Sequence, residues 1–398
     1  MKKIMTKNNS TTKKCFIIAV IAMMTLAACT KLEDTAPPRK ITFETATYRP
    51  QTKADNDTVP AAGSIMREFA SFKCKAFLHA DSVGSYFTTQ DMFGANGETI
   101  SAYDGSNSIT TNSALVAYWA PSHDYYWPKG SRSYINFVGW YDKKGTAPTE
   151  ATEESLKWEN YTVLTDDNLL FADEAWHFKA TPNAEYHKDG GVTKGVPMMF
   201  HHALAKLCIK AAVADTTKAN VTGGEGLGKT KWEVTLSNIS LAGVYNQGTL
   251  ALTNGDPAND PEPQSDATTK AWSGSWTPVG NAASIAMGNV DAPLQTTAVD
   301  VLEMQTVMPQ AVTSDMILSF DYKIVTKFNN EQYAQEKIHA DINLSTIADH
   351  IANWDMNKKI TYTITINPET TTIKIDPAMV DWLTDSAVYP NPNQNNGN

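Results

Sequence analysis

A glycine-rich segment in the middle of the chain matches the pattern of a phosphate-binding loop. Residues 223–230 read GGEGLGKT and satisfy G-x4-G-K-[ST]. Such a loop works when a buried strand leads into it and a helix follows, because the helix N-terminus directs backbone N–H groups at the phosphate. Here polar residues 217–222 precede the motif, and Lys231–Leu236 alternates after it as a strand would. The pattern therefore favours a glycine-rich hairpin loop over a nucleotide site.

Two adjacent histidines, His201 and His202, suggest metal binding as the next chemistry to consider. Neighbouring residues of a strand point to opposite faces, so one metal ion does not reach both. No third histidine or cysteine stands nearby at a spacing typical of a ligand set. No G-x-S-x-G occurs, and the carboxylates are too scattered to nominate an acid–base pair. We therefore expect no enzyme, no metal site and no cofactor.

Clustered aromatic residues suggest a different function, which is stacking on sugar rings. The residues concerned are Trp119, Tyr126, Trp127 and Trp140. Their alternating placement is more typical of core and loop positions than of an exposed platform. A monomeric surface protein that binds host or dietary glycans through these residues stays open as the alternative function.

The first 29 residues indicate export and lipidation. Residues 1–28 carry five lysines and no acid, and they end in an apolar run, Phe16–Ala28, that is too short to span a bilayer. The run ends in Leu26-Ala27-Ala28-Cys29, which resembles the bacterial lipobox. In a lipobox the cysteine sulfur carries a diacylglycerol. An ordinary signal-peptidase site with an incidental cysteine is the alternative.

Composition excludes two broad classes of protein. Of 398 residues, 42% are hydrophobic, which is enough for a sizeable packed core and excludes wholesale disorder. The net charge is −10, and the chain that follows the lysine-rich signal segment is more acidic still. An acidic body repels phosphate backbones, so we expect no nucleic-acid partner.

Period-2 alternation dominates the rest of the chain and predicts an all-β fold of antiparallel sandwiches. One short helix is considered at Ser345–Asn353. The clearest predicted strands are Ser71–Leu78, Ala114–Trp119, Tyr134–Tyr141, Lys206–Val213, Trp232–Leu241, Met316–Lys327 and Lys359–Ile366.

A polar, Pro- and Gly-containing stretch at residues 253–280 is the best linker candidate. It predicts an N-terminal β-sandwich domain over 54–255 and a C-terminal β-sandwich domain over 270–389. Residues 390–398, rich in Pro, Asn and Gln, are expected to form a disordered tail.

Several short motifs, in order along the chain, resemble those of the fimbrillin-like (Mfa-like) lipoproteins, the subunits of type V pili. The central one is Val196–Leu207, VPMMFHHALAKL, which is similar to the family pattern P-x-x-F-x-H-x-L-A-K. The others are the lipobox at Cys29, Ile41-Thr42-Phe43, Thr52-Lys53-Ala54, Tyr126-Trp127-Pro128, Tyr134–Tyr141, Met308-Pro309-Gln310, Trp354 with Tyr362-Thr363-Ile364, and Val380-Asp381-Trp382.

The resemblance implies two transthyretin-like antiparallel β-sandwich domains in tandem and assembly by donor-strand exchange. A lipidated precursor reaches the outer membrane, where a protease removes the pro-segment 29–53 by cutting after Lys53. Arg49 is the alternative cleavage site, although Pro50 follows it. The plug strand lost in this way would carry Ile41 and Phe43. The donor strand of the next subunit would supply Ile373, Ile375, Val380 and Trp382.

The resemblance further implies a structural subunit of a surface fimbria that supports adhesion. Its partners would be other copies of itself or related pilus subunits, outer-membrane lipid through Cys29, and host or bacterial surface ligands. Family cleavage sites usually carry arginine, and here the residue is Lys53. An uncut chain would keep both its lipid and its plug, so stalk, tip and anchor roles stay open.

Overall fold

The computed structural model describes residues 40–47, 69–80, 88–103, 118–128, 133–178, 195–214, 230–254, 268–328 and 331–382. The chain divides into two units, Met1–Arg39 and Lys40–Asn398, and every described residue lies in the second. Strands and turns make up this described part, which contains no helix. The prediction of an all-β protein is therefore confirmed.

The described residues form twenty-four strands. They are β1 Phe43–Thr47, β2 Ser71–Ala80, β3 Thr88–Asp91, β4 Glu98–Tyr103, β5 Tyr118–Pro121, β6 Tyr134–Asp142, β7 Glu150–Ala151, β8 Ser155–Thr162, β9 Leu169–Ala172, β10 Glu174–Phe178, β11 Val196–His202, β12 Ala205–Val213, β13 Thr230–Val244, β14 Gln247–Thr253, β15 Thr268–Lys270, β16 Ser273–Pro278, β17 Ala283–Ala286, β18 Val299–Val307, β19 Gln310–Ala311, β20 Ile317–Phe328, β21 Glu331–Asn343, β22 Asn353–Trp354, β23 Lys358–Asn367 and β24 Thr372–Asp381.

Seven strands of the largest sheet close into a ring, which we call the barrel. Its order is β6-β9-β11-β1-β5-β4-β2, and β2 pairs with β6 again, while β3, β10 and β15 extend the sheet outside the ring. Closing a sheet removes its free edges, and the inward-facing residues fill the interior. The interior is the barrel core, which includes Ile41, Phe43, Phe72, Phe137, Met198 and Phe200.

A second core lies between two four-stranded sheets, β18-β12-β23-β24 and β17-β13-β20-β21. This sandwich core includes Leu207, Val234, Leu236, Phe320, Tyr362 and Ile375. The alternation of the sequence explains how β23 contributes to this core. The strand buries every second residue over most of its length and leaves the intervening ones half-exposed.

A third core joins the barrel to the sheet β16-β14-β8-β7. This junction core includes Trp140, Leu156, Trp158, Leu250, Trp276 and Trp382. Strand β6 serves two cores, since Ile135 and Phe137 face the barrel core while Val138 and Trp140 face the junction core. This double burial explains why Tyr134–Asp142 is a nearly continuous apolar run.

Strand pairing crosses the predicted linker at 253–280. Strand β12 pairs with β23 in parallel, and β13 pairs with β20, so strands from before residue 255 complete the sandwich core. Among the pairings of the described strands, the only other parallel one joins β1 to β11. The bounds 54–255 and 270–389 stay a prediction, and the tandem transthyretin-like arrangement is not confirmed.

The predicted strands correspond closely to the observed ones wherever the structure describes them. The helix considered at Ser345–Asn353 is wrong, because that segment forms turns, with Asp349 at a positive φ of 54°. Its polar residues and the Asn343 side chain, which accepts hydrogen bonds from the backbone N–H and the hydroxyl of Ser345, favour a turn.

Candidate functional site

Strand β1 closes the barrel between β11 and β5. It pairs with β11 in parallel over five residues, with Phe43 beside Val196, and meets β5 where Phe43 faces Trp119. The Ile41 backbone N–H donates to the Tyr125 carbonyl at 2.8 Å, and the Val196 N–H donates to the Thr42 carbonyl at 2.8 Å. We call the space that β1 fills between β11 and β5 the strand groove.

The two residues predicted for the plug strand, Ile41 and Phe43, are buried in the barrel core. The Phe43 ring packs edge-to-face against Phe72, with centroids 6.0 Å apart, and against Phe137, with centroids 5.2 Å apart. Burial of each side chain contributes about 1.5–3 kcal/mol to stability. Their role as a plug stays a prediction, which their burial in the barrel core supports.

A glycine directly before β11, Gly195, allows β1 to approach closely. A Cβ on Gly195 would lie 2.3 Å from the carbonyl carbon of Phe43 and 2.6 Å from its Cα, far inside van der Waals contact. Any other residue here would push the backbone of the neighbouring strand away. Sequence reasoning missed Gly195, although its position directly before the VPMMF segment is a signal that could have found it.

Loss of β1 would open the barrel between β11 and β5. Both flanking strands would then present unpaired backbone groups, and the Ile41 and Phe43 pockets would stand empty beside them. An unpaired edge of this kind is a template for another strand, whose backbone supplies affinity and whose alternate side chains supply specificity.

The predicted donor residues do not lie together. Ile375 is buried in the sandwich core and Ile373 packs against it, so both already serve their own subunit. Val380 is 59% exposed, and Trp382 is buried in the junction core. The reason is geometric, because 373 and 375 share one strand face while 380 lies on the other, and Trp382 follows the end of β24.

Trp382 is held in a cleft by two residues of the VPMMFHHALAK segment. Its indole stacks on His202, with ring centroids 3.6 Å apart and an interplanar angle of 5°. Lys206 Nζ lies 4.5 Å from the indole centroid, a cation–π contact. The Trp382 backbone N–H donates to the Asn357 carbonyl at 2.7 Å, and Asp381 pairs with Lys358.

The two histidines face different partners, as alternation predicts. His201 Nε2 lies 2.8 Å from Asp173 Oδ1, and His202 Nδ1 lies 3.0 Å from Asn168 Oδ1. Among the described residues no group of three or more His, Cys, Asp or Glu side chains is arranged to hold a metal ion. The glycine-rich residues 223–229 lie outside the described residues, and Thr230 begins the long strand β13.

The aromatic residues that suggested sugar stacking do not form an exposed platform. Trp119, Trp127 and Trp140 are buried, and only Tyr126, at 40% exposure, is open to solvent. Trp119 and Trp127 belong to the barrel core, and Trp140 belongs to the junction core. Nothing in their placement favours glycan binding.

A buried carboxyl, Glu174, is a second feature that sequence reasoning missed. Burial raises the pKa of Glu174 to about 9, and the charge of Glu153 adds to this rise. Its Oε2 accepts a hydrogen bond from the Asn254 amide, which also donates to the Glu153 carbonyl. The neutral acid therefore ties β10 to the end of β14. A lone glutamate in the sequence EAWHF gave no signal of this burial.

The remaining predicted sites lie outside the described residues, namely Cys29 for lipidation and Lys53 or Arg49 for cleavage. In the part of the chain that the structure describes, no helix is long and apolar enough to cross a membrane.

Comparison with known proteins gives one family and a set of similar structures. A family model described as fimbrillin-like matches residues 79–382. A fimbrial protein from Bacteroides vulgatus is similar at 16% identity and a TM-score of 0.46, covering 87% of this chain and 100% of its own. The C-terminally truncated tip fimbrial protein Mfa3 from Porphyromonas gingivalis is similar at 9% identity and a TM-score of 0.31, covering 86% and 100%. No curated protein matches the sequence.

Proposed function

We propose that this chain, which belongs to the fimbrillin-like family, is a structural subunit of a surface fimbria that supports adhesion. The family model matches residues 79–382 and confirms the resemblance seen in the ordered motifs. The proposed assembly is strand exchange, triggered when a protease removes the N-terminal pro-segment. The observation that carries this proposal is that β1, which precedes the predicted cleavage sites in the sequence, closes the barrel.

The proposed exchange follows from the position of β1 in the chain and in the sheet. The strand ends at Thr47, six residues before Lys53, so cutting after Lys53 would separate β1 from the rest of the covalent chain. Removing β1 would free the backbone of β11 and β5 and two apolar pockets. Refilling those pockets with two side chains would contribute about 3–6 kcal/mol, and each new backbone hydrogen bond about 1 kcal/mol.

Export and anchoring precede this step in the proposal. Residues 1–28 direct the chain across the inner membrane, and Cys29 carries the lipid that holds the precursor at the outer membrane. Cleavage after Lys53, with Arg49 as the alternative, would release the subunit from its lipid and open the strand groove together. The proposed partners are further copies of this chain or related pilus subunits, and the role requires neither catalysis nor a cofactor.

A polymerisation assay tests the proposal. The precursor without its signal peptide, carrying Cys29→Ser and a site-specific protease sequence after Lys53, is expected to stay monomeric until it is cut. After cutting, it should form a ladder on an unboiled gel that boiling collapses to one band. A cut chain that has lost residues up to 53 and stays monomeric would overturn strand exchange. A chain with the protease sequence scrambled is the control.

A further inference from the structure

A short segment after β5 lies against the chain where it enters the strand groove. Lys40 forms an antiparallel bridge with Tyr126, and the Ile41 backbone N–H donates to the Tyr125 carbonyl at 2.8 Å. We call residues 122–126 the clasp, because they contact the two residues with which the segment carrying β1 begins.

The clasp supplies one of two pairings that this segment makes on its β5 side. On the opposite side, β1 pairs with β11 over five residues. On the β5 side, the described part of the chain pairs Phe43 with Trp119 and Lys40 with Tyr126. Without the clasp, a single paired residue would remain on that side. The beginning of the segment would then open more easily, because fewer hydrogen bonds would hold its backbone.

The carboxylate of Glu98, at the start of β4, fixes the position of the clasp. Its Oε1 accepts a hydrogen bond from the Ser122 hydroxyl, and its Oε2 accepts one from the Tyr125 hydroxyl at 3.1 Å. Nδ1 of the His123 imidazole lies 3.4 Å from Oε2. Only 12% of the Glu98 side chain is exposed, so water competes little for these oxygens. One carboxylate therefore gathers three side chains of the clasp.

Glu98 is charged in this position, which strengthens its hold on the clasp. Burial alone would raise the pKa of Glu98, but the hydrogen bonds from Ser122, from Tyr125 and from a backbone N–H together outweigh burial and leave the pKa below its ordinary value. Hydrogen bonds to a charged acceptor are stronger than those between neutral groups. Tyr125 is also held through its ring, which packs on Phe93 with centroids 4.5 Å apart. These contacts keep the Tyr125 carbonyl where Ile41 donates to it.

We propose that Glu98, acting through the clasp, retains β1 in the strand groove after the chain is cut, so that the groove stays filled until another strand displaces β1. Glu98 is a positioning residue, because its described side-chain contacts lie in the clasp and at Thr99 and not in β1. The inference rests on the strand exchange proposed above and adds the control of its first step. An empty groove would present two unpaired strand edges to any strand, and a retained β1 avoids that state.

The lifetime of the bound segment after cutting tests the proposal. The precursor without its signal peptide, with a site-specific protease sequence after Lys53, is labelled with a fluorophore at Cys29. Cys74 and Cys208 are buried and should not take the label. After cutting, an excess of unlabelled peptide with residues 30–53 is added. The peptide prevents rebinding and fills emptied grooves, so the release of the labelled segment is read by fluorescence anisotropy without polymer formation.

Glu98→Ala is expected to shorten the lifetime of the bound segment by about tenfold or more, because the clasp loses its shared acceptor. Tyr125→Phe removes one hydrogen bond and keeps the ring on Phe93, so it should shorten the lifetime by about two- to tenfold. Melting curves of the uncut variants establish that each is folded. Tyr125→Phe keeps the proposal testable if Glu98→Ala does not fold.

Asp142→Ala is the matched control. Asp142 is likewise a shielded carboxylate that shapes a turn, since it accepts hydrogen bonds from the Tyr161 hydroxyl and from two backbone N–H groups of the residues that follow it. The described pairings of β1 join it to β11 and β5 and not to this turn. We expect Asp142→Ala to lower the melting temperature of the uncut chain and to change the lifetime of the bound segment by less than about twofold.

Three results would overturn the proposal. Folded Glu98→Ala and Tyr125→Phe chains that release the segment at the wild-type rate would remove Glu98 as a positioning residue. Equal acceleration by Asp142→Ala would indicate a general loosening of the fold. Release of the wild-type segment within the mixing time would show that nothing retains β1.

Failure of strand exchange gives a different result. With the peptide omitted, a cut chain that releases its segment at the expected rates and forms no ladder would contradict the proposed function. Retention of β1 by the clasp would then still hold. A ladder combined with release rates that do not depend on Glu98 would remove the clasp and leave strand exchange in place.

Discussion

At the scale of the residue, Phe43 anchors β1 in the barrel core. Phe43→Ala removes a ring packed against Phe72 and Phe137 and leaves a cavity in the barrel core. We expect the uncut chain to lose about 3–5 kcal/mol in its free energy of unfolding, measured by denaturant titration. Tyr333→Ala, at a side chain 83% exposed, is the control and should change it by less than about 0.5 kcal/mol.

A substitution at Gly195 tests how closely β1 packs in the strand groove, independently of the rest of the fold. Gly195→Ala places a Cβ against the backbone of Phe43, so β1 must shift, and we expect a loss of about 1–3 kcal/mol in the uncut chain. Gly288→Ala is the matched control, because nothing lies within 4 Å of its added Cβ. Equal melting temperatures for the two variants would contradict the close approach of β1 and β11.

Glu174 predicts a pH dependence of stability. Its pKa is raised to about 9 by burial and by Glu153, so the folded state binds this proton more tightly than the unfolded chain does. The contribution of this raised pKa to the free energy of unfolding is fully present below the ordinary pKa of glutamate. It is lost as the pH rises through about 9. Glu174→Gln keeps the shape of the side chain without its charge. It should stabilise the protein at pH 8 by a few kcal/mol, because each tenfold difference in proton affinity corresponds to about 1.4 kcal/mol.

The measurement is the melting temperature of wild type and Glu174→Gln between pH 4.5 and pH 9. The two curves should nearly coincide at the acid end and diverge as the pH rises. Glu159→Gln, at an exposed carboxylate on β8, is the control. Parallel curves for wild type and Glu174→Gln across the whole range would contradict the protonated buried acid.

At the scale of the element, the stack of Trp382 on His202 is one of several contacts that hold the chain at the end of β24. His202→Ala removes the ring on which Trp382 lies. Amide hydrogen exchange at residues 380–382 should then accelerate by about two- to tenfold, because an aromatic pair contributes about 0.5–1.5 kcal/mol. His201→Ala is the control on the opposite strand face. Hydrogen exchange measured by mass spectrometry compares the two variants. Equal acceleration in both would contradict a specific contact between His202 and Trp382.

Alternation along single elements made most strands predictable, including β2, β6 and β23. Pairing between distant strands was not predictable. Alternation along the sequence indicates which face of a strand is buried, but it does not indicate which other strand pairs with it. The composition shift at 253–280 suggested a boundary, but β12 pairs with β23 across about 150 residues of chain. For the same reason the sequence predicted a buried Ile41 and Phe43 without indicating that their strand closes a ring.

At the scale of the whole molecule, the proposed strand exchange would join the strand groove of one copy to a different surface of the next copy. A contact that joins unlike surfaces of identical subunits is heterologous, and it produces a filament unless the rotation closes a ring. In the proposed assembly, the uncut chain avoids this outcome because β1 fills the strand groove. In the proposed assembly, removal of β1 opens the strand groove, and a donor strand of another copy then enters it.

Strand exchange at the cell surface is the central claim, and one measurement tests it most directly. The protein is recovered from its native outer membrane, its intact mass is determined, and its polymer state is read on an unboiled gel. We predict a chain that begins at Ala54 and runs as a heat-labile ladder. A diacylated chain that begins at Cys29 and runs as a single band would contradict the claim.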